Sequence, residues 1–152
     1  MHSRALSHKK TFWLVIGLAI FLRLWNLNLP FVEPYNSLTR QSMVAEITRN
    51  FYEHGFNFFY PEIDEGGKGP YLFNGEMPIT AYMAALLYRL TGGVHEWAAR
   101  LVSVLFSLGT IGVVYLITRK HFGERAALLS IIFLAFSPLN LAISRAIQPD
   151  AA

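Results

Sequence analysis

The chain has 152 residues, of which 53% are hydrophobic, 14% aromatic and only 15% charged, and soluble domains are rarely so apolar. The absence of cysteine excludes disulfides, thiolate metal sites and cysteine nucleophiles. The net charge of +3, from 13 basic and 10 acidic residues, is small, so the position of the charges along the chain is more informative than their sum.

The N-terminal region places a basic stretch, residues 4–10, before an apolar stretch, residues 12–22. A cleaved signal peptide begins in the same way, but no small-x-small cleavage site follows, so we favour an uncleaved first span over residues 11–28. The long side chain of Arg23 is expected to carry its guanidinium to the outer interface, a depth that also suits Trp25.

Residues 29–96 form a long polar stretch with a net charge of −4. The N-terminus and the short segment 119–125 are both basic, and the positive-inside rule places both in the cytoplasm. The acidic stretch is then an outer loop. Its charged residues are Glu33, Glu46, Glu53, Glu62, Asp64, Glu65, Glu76 and Glu96 against Arg40, Arg49, Lys68 and Arg89.

Two amphipathic helices are expected within this loop. In residues 37–54 the apolar side chains of Met43, Ile47 and Phe51 recur every four residues, which predicts an interfacial helix. Residues 55–74 are rich in glycine, proline and aromatic residues and are predicted to be a loop. A second helix is predicted over residues 77–91.

The helix over 77–91 leaves two readings of the topology open. Its length of about 22 Å is short for a bilayer crossing, which favours a helix lying on the outer leaflet. If it did cross, the basic segment 119–125 would be exported instead of cytoplasmic.

Two long uncharged runs predict further spans over residues 97–119 and 126–146. Pro138 lies near the middle of the second run and is expected to kink that helix, because proline removes a backbone hydrogen bond. The predicted fold class is therefore an all-α integral membrane protein. It has three transmembrane helices and a long outer loop that carries two interfacial helices.

Function is expected from polar residues at the outer membrane face. Three places qualify: the polar face of the helix over 37–54, Glu76 before the second helix, and the corner at 145–150. If they converge at one depth, arginine could bind the phosphate of a lipid-linked substrate whose tail stays in the bilayer. A carboxylate there could remove a proton from an attacking hydroxyl.

Each of these residues also has an ordinary structural interpretation. Glu46 and Arg49 are three residues apart and could form a helical ion pair, and Asp150 could simply cap the end of the chain. His54 and His95 are too far apart to indicate a metal site without a third ligand, so we expect no metal from them.

Residues 40–52, 75–78 and 95–101 resemble the N-terminal part of polytopic GT-C membrane glycosyltransferases of the protein-mannosyltransferase and aminoarabinose-transferase kind. Residues 122–129 and 137–150 are similar to the same family. The resemblance implies many transmembrane helices and transfer of a sugar from a dolichyl- or polyprenyl-phosphate donor to an acceptor on the outer face. It implies membrane lipid as a partner and no cofactor beyond the donor substrate, and we expect no nucleic-acid partner.

The resemblance also implies two carboxylates, of which Asp150 matches the second. At the first position this sequence has Arg40 and Gln41, or Met43 in the family's other pattern, and the nearest acid in the helix is Glu46. The residues predicted to be catalytic are therefore Glu46 and Asp150, and those predicted to bind substrate are Arg40, Gln41, Glu76 and Arg145.

The resulting interpretation is that residues 1–152 are the N-terminal part of a longer multi-span transferase, inactive without the rest of its chain. It would be a multi-pass protein of a bacterial or archaeal plasma membrane, with its N-terminus in the cytoplasm. Because the first acid is missing, an alternative interpretation stays open: the chain is a non-enzymatic membrane assembly protein or a degenerate paralogue. A transporter is less favoured, because no predicted span buries an obvious ionisable relay.

Overall fold

The computed structural model describes residues 2–25, 27–28, 37–64, 71–73 and 75–147, and these form six helices and one two-stranded sheet. The elements in chain order are α1 (His2–Leu24), α2 (Ser37–His54), β1 (Glu62–Ile63), β2 (Tyr71–Leu72), α3 (Ile79–Thr91), α4 (Glu96–Phe122), α5 (Glu124–Phe136) and α6 (Pro138–Ser144).

The two helices predicted for the loop are present. The bounds of α2 are those that the four-residue apolar repeat predicts, and Val44, Ile47 and Phe51 are buried. Helix α3 begins two residues later than predicted, at Ile79. Its last residue is Thr91, and it is terminated by Gly92, whose φ of 77° is a left-handed conformation that glycine adopts without strain.

The predicted loop between these helices contains a small antiparallel sheet that the sequence pattern did not indicate. Strand β1 pairs with β2, so that Glu62 lies opposite Leu72 and Ile63 lies opposite Tyr71. Two-residue strands are too short to produce the alternation of apolar and polar residues by which a strand is recognised. The sheet holds Ile63 against the core beneath α2.

One helix of the described chain, α4, is long and apolar enough to cross a membrane. Its 27 residues correspond to about 40 Å. Helices α5 and α6 form a second such segment if the pair is one span, since they meet at a bend of 62°. The bend confirms the break expected at Pro138. Helix α1 ends at Leu24 rather than at residue 28, and the count of three spans stays a prediction.

The prediction for Arg23 is wrong: its side chain does not reach an interface but is fully buried, at 0% exposure. The guanidinium donates to one acceptor on each of four helices: Ser107 Oγ on α4 at 3.1 Å, Ala19 O on α1 at 3.3 Å, Ala135 O on α5 at 3.1 Å and Asn140 Oδ1 on α6 at 2.6 Å.

The break between α5 and α6 explains why a cation is buried at this point. Pro138 has no backbone N–H and the chain bends, so carbonyl groups in the last turn of α5 lose their helical donors. Arg23 donates to one of these carbonyls, that of Ala135, and to the Asn140 side chain on the far side of the bend. The arginine therefore supplies a donor to a carbonyl, Ala135 O, that the bend leaves without its helical partner.

The buried apolar residues form two clusters. One, the lower core, joins α1 with the later part of α4 and with α5 through residues such as Val15, Ile111 and Ile131. The other, the upper core, joins α2, α3 and the start of α4 and includes Ile147 after α6. The upper core holds the polar face of α2 next to the start of α4 and the end of the described chain.

Candidate outer-face site

The upper core carries an open cavity on the polar side of α2, which we call the outer cavity. Its volume is about 440 Å³. It is bounded by α2, by the end of α3, by the start of α4 and by the segment that follows α6. The residues that line it are Ser42, Ala45, Glu46, Arg49, Tyr88, Val94, Glu96 and Ile147.

Glu46, the predicted catalytic acid, lies in the wall of this cavity and is half-buried. Its Oε1 accepts a hydrogen bond of 2.9 Å from the backbone N–H of Asp64. Arg49 does not pair with Glu46 but with Asp64, at 2.6 Å, and more loosely with Glu53, at 3.9 Å. The ordinary helical ion pair between Glu46 and Arg49 is therefore not formed, and the other carboxylate oxygen of Glu46 has no hydrogen-bond donor among the described residues.

Two of the predicted substrate-binding residues, Arg40 and Glu76, form an ion pair with each other. The pair joins the first turns of α2 to the segment before α3, so the structure brings together two of the three places that the sequence singled out. A small cavity of about 50 Å³ lies beside the pair, with Met77 and Thr80 in its walls. The Thr80 hydroxyl is buried and has no hydrogen-bond partner among the described residues.

The other predicted residues lie apart from this pair. Gln41 is buried on the inner side of α2, at 3% exposure. Arg145 follows α6 and donates to the backbone carbonyl of Trp25 at 2.7 Å, which ties it to the end of α1. Asp150 lies outside the described residues, but Ile147, three positions earlier, already lines the outer cavity.

Tyr88 contributes a phenol to the cavity wall. Its burial raises its pKa to about 12, and the negative charge of Glu96 acts in the same direction. The phenol is consequently neutral at physiological pH and can donate a hydrogen bond. Together with the free oxygen of Glu46 and the guanidinium of Arg49, the cavity offers an acceptor, a neutral donor and a cation.

Asp64 and Tyr88 are residues of this site that the sequence patterns did not indicate. Asp64 acquires its place only through the contacts of its loop with α2, which are long-range in the sequence. Tyr88 could have been noticed as a polar aromatic residue on the small-residue face of α3, which also carries Ala81, Ala84 and Ala85.

The two histidines considered as ligands have other neighbours. His54 Nδ1 lies 3.2 Å from Glu62 Oε2, and the ring of His95 stacks on that of Trp97, with centroids 5.9 Å apart. In the part of the chain that the structure describes, no three His, Asp or Glu side chains are grouped as metal ligands would be.

Comparison with known proteins gives two kinds of relationship. Residues 75–152, just over half of the chain, match the family described as "Dolichyl-phosphate-mannose-protein mannosyltransferase". The chain is also similar to two proteins of Bacillus subtilis (strain 168). It is 27% identical over 139 residues to "Putative mannosyltransferase YkcB" and 26% identical over 108 residues to "Putative mannosyltransferase YycA".

These alignments cover 91% and 71% of the chain but only 18% and 15% of the two relatives, so the chain spans less than a fifth of their length. No solved structure matches it significantly. The family match covers α3 to α6 and the segment after them, and so includes the helix that is long and apolar enough to cross a membrane and three of the four walls of the outer cavity. On this evidence the chain belongs to the dolichyl-phosphate-mannose-protein mannosyltransferase family.

Proposed function

We propose that this chain is the N-terminal part of an integral-membrane glycosyltransferase that uses a polyprenyl-phosphate-linked sugar as donor. In this proposal α1, α4 and the bent pair α5–α6 cross the membrane, with the N-terminus in the cytoplasm. Helices α2 and α3 lie on the outer surface, and the acceptor is glycosylated there. Family membership supports the reaction class, and the charge distribution supports the orientation.

The observation that carries the proposal is the position of Glu46. Its carboxylate lines a cavity that also reaches the start of α4 and the chain after α6, and no arginine of the described residues forms an ion pair with it. The Asp64 N–H fixes one oxygen, so the other is available to a ligand in the cavity. A carboxylate held in this way is suited to act as a general base.

In the proposed reaction the proton of an acceptor hydroxyl moves to Glu46. The acceptor oxygen forms a bond to the anomeric carbon of the sugar, the bond from that carbon to the phosphate oxygen breaks, and polyprenyl phosphate leaves with the electron pair. Arg49, which lines the cavity, is the cation suited to the phosphate once the phosphate displaces part of its carboxylate contacts, and Arg40 of the same helix is proposed as a second phosphate contact. Asp150 is proposed as a supporting carboxylate, since it follows Ile147 closely.

The test is sugar transfer from a polyprenyl-phosphate donor by the protein as the cell makes it. We expect Glu46→Gln to lower the rate by about 100- to 10,000-fold, the usual range for loss of a general base. Glu53→Gln is the matched control, because Glu53 is exposed on the same helix and does not line the outer cavity. Equal rates for wild type and Glu46→Gln would remove Glu46 from the mechanism.

A non-enzymatic role is the second candidate, and one observation favours it. The positions where the resemblance implies the first acid hold Arg40, which is already paired with Glu76, and Gln41, which is buried. If wild-type protein transfers no labelled sugar from mannosyl, glucosyl or aminoarabinosyl polyprenyl phosphates, the non-enzymatic candidate replaces the first.

A further inference from the structure

A second large cavity lies at the opposite end of the molecule from Glu46, between residues 8–13 of α1 and the last turns of α4. Its volume is about 600 Å³. We call it the inner cavity and define it by Lys9 and Trp13 of α1, Tyr115 and Arg119 of α4, and Glu124 of α5. None of these residues belongs to the outer-face site.

The walls of the inner cavity hold Arg119 in a defined position. Its Nε lies 2.7 Å from Glu124 Oε2, and its guanidinium lies over the Tyr115 ring, 5.9 Å from the centroid. The Tyr115 hydroxyl in turn donates to Glu124 Oε1 at 2.6 Å. The contact with Glu124 is made by Nε, and among the described residues no acceptor is hydrogen-bonded to the two terminal nitrogens of Arg119, which can therefore bind phosphate oxygens.

The cavity also has an excess of positive charge. Lys9 is exposed, and within the described part of the chain no carboxylate lies at ion-pair distance from its ammonium group. With Arg119 and the single acid Glu124, the lining has a formal charge of +1. The neighbouring Lys10, Lys120 and Arg125 make this end of the molecule more basic still.

The outside of the same cavity is apolar. Trp13 is 62% exposed, and Leu14 and Leu116 on adjoining turns are 68% and 62% exposed. A ligand that fits must therefore present an anion to Arg119 and Lys9 and hydrocarbon to the faces beside them. A membrane lipid with a phosphate headgroup has this shape, whereas free phosphate satisfies only the charged part.

The geometry points to an anionic-lipid site: the inner cavity binds the phosphate of a membrane lipid through Arg119 and Lys9, with Trp13 beside the start of the acyl chains. Basic pockets between membrane helices on the cytoplasmic side bind lipid headgroups in this way. The inference goes beyond sugar transfer and depends only on the proposed orientation of the helices. Its test is a binding measurement that does not require activity.

The experiment titrates the detergent-solubilised protein, as the cell makes it, with short-chain phosphatidylglycerol, which is anionic, and short-chain phosphatidylcholine, which is zwitterionic. Trp25→Phe and Trp97→Phe in the background leave Trp13 as the fluorescent reporter among the described tryptophans. We expect saturable quenching or enhancement with phosphatidylglycerol and at least fivefold weaker binding of phosphatidylcholine. Equal binding of the two lipids would overturn the proposal.

Two double variants separate a built site from general surface charge. Lys9→Gln with Arg119→Gln removes the two cavity cations and is expected to weaken phosphatidylglycerol binding by about fivefold for each cation removed. Lys10→Gln with Lys120→Gln removes the same charge from the same end without touching the cavity, and is expected to leave binding within twofold of wild type. Equal losses in both doubles, or no loss in either, would overturn the proposal.

Two further measurements test the role of Lys9 alone and the possibility that the cavity binds a free anion. Lys9→Gln alone removes an exposed cation that has no ion-pair partner among the described residues, so the expected fivefold loss of binding is measurable even if replacing Arg119 disturbs folding. Inorganic phosphate is added as a competitor: the proposal expects no displacement of phosphatidylglycerol at equimolar phosphate. Displacement there would assign the cavity to a free anion and overturn the lipid assignment.

Discussion

Arg23, which is buried at the helix break, and the two arginines of α2 interact with acceptors of opposite kinds. Arg23 is fully buried and, among the described residues, donates only to neutral oxygen acceptors, one on each of four helices. Arg40 and Arg49 are 46% and 45% exposed and pair with carboxylates. The buried arginine is fixed by several partners at once. An exposed arginine has a carboxylate partner that an anionic ligand can displace. The comparison separates a residue that holds the fold from residues available to a substrate.

The largest expected effect concerns the buried arginine. Arg23→Leu removes the donor to Ala135 O and leaves this buried carbonyl without a partner among the described residues, while Asn140 Oδ1 keeps only its hydrogen bond from Ser107, so we expect a loss of about 2–5 kcal/mol in the free energy of unfolding. Arg23→Lys keeps the charge but reaches fewer acceptors and should lose less. Thermal unfolding in detergent, followed by circular dichroism, measures both.

Arg125→Leu is the control for that substitution, because Arg125 is exposed at the start of α5. Its effect should stay within about 0.5 kcal/mol. If Arg23→Leu were as stable as the control, the hydrogen bonds across the break would not be what holds α6 in place.

A smaller effect is expected at Tyr88, whose pKa is raised from 10.0 to about 12 in the folded protein. The unfolded chain therefore releases this proton at lower pH than the folded one. The stabilisation is complete below pH 10 and declines as the pH rises from 10 to 12. Tyr88→Phe lacks this dependence. The stability of wild type, measured relative to that of Tyr88→Phe, should therefore fall as the pH rises over that interval.

Chemical unfolding at several pH values between 9 and 12 checks this prediction. Tyr71→Phe provides the control, since Tyr71 is exposed in β2. A stability difference that is constant with pH would show that the Tyr88 hydroxyl is not withdrawn from water in the folded protein.

The smallest effect is expected for the exposed pair Arg40 and Glu76. A double-mutant cycle with Arg40→Ala and Glu76→Ala should give a coupling energy of about 0.2–1 kcal/mol, because exposed ion pairs are screened by water and salt. The coupling should fall further as salt is added. A coupling above 2 kcal/mol at high salt would contradict the view that this pair is readily exchanged for a ligand.

Local sequence patterns predicted α2, α3 and the break between α5 and α6 well, but not the bounds of α1, which was expected over residues 11–28 and is found at His2–Leu24. The four-residue repeat of Met43, Ile47 and Phe51 gave both ends of α2, and Pro138 gave the position of the break. These features depend on neighbouring residues or on backbone chemistry. They can be recognised from a single sequence for that reason.

What could not be predicted depends on contacts between distant residues. The partners of Arg23 lie 84, 112 and 117 positions away, and no local pattern distinguishes an arginine that reaches an interface from one that fills a helix break. In the candidate site, Arg40 and Glu76 were singled out from the sequence, but their direct pairing across 36 positions was not. The ion pair between Asp64 and Arg49, which forms in place of one between Glu46 and Arg49, was likewise not predicted.

The hydrogen bonds to the turn that follows α1 have a consequence for the order in which parts of the protein fold. Arg100 donates to Leu27 O and Arg145 donates to Trp25 O, across 73 and 120 positions. Both donors are synthesised long after the turn itself has left the ribosome. The end of α1 therefore acquires these tertiary hydrogen bonds only after α4 and then α6 have been synthesised, well after its own synthesis.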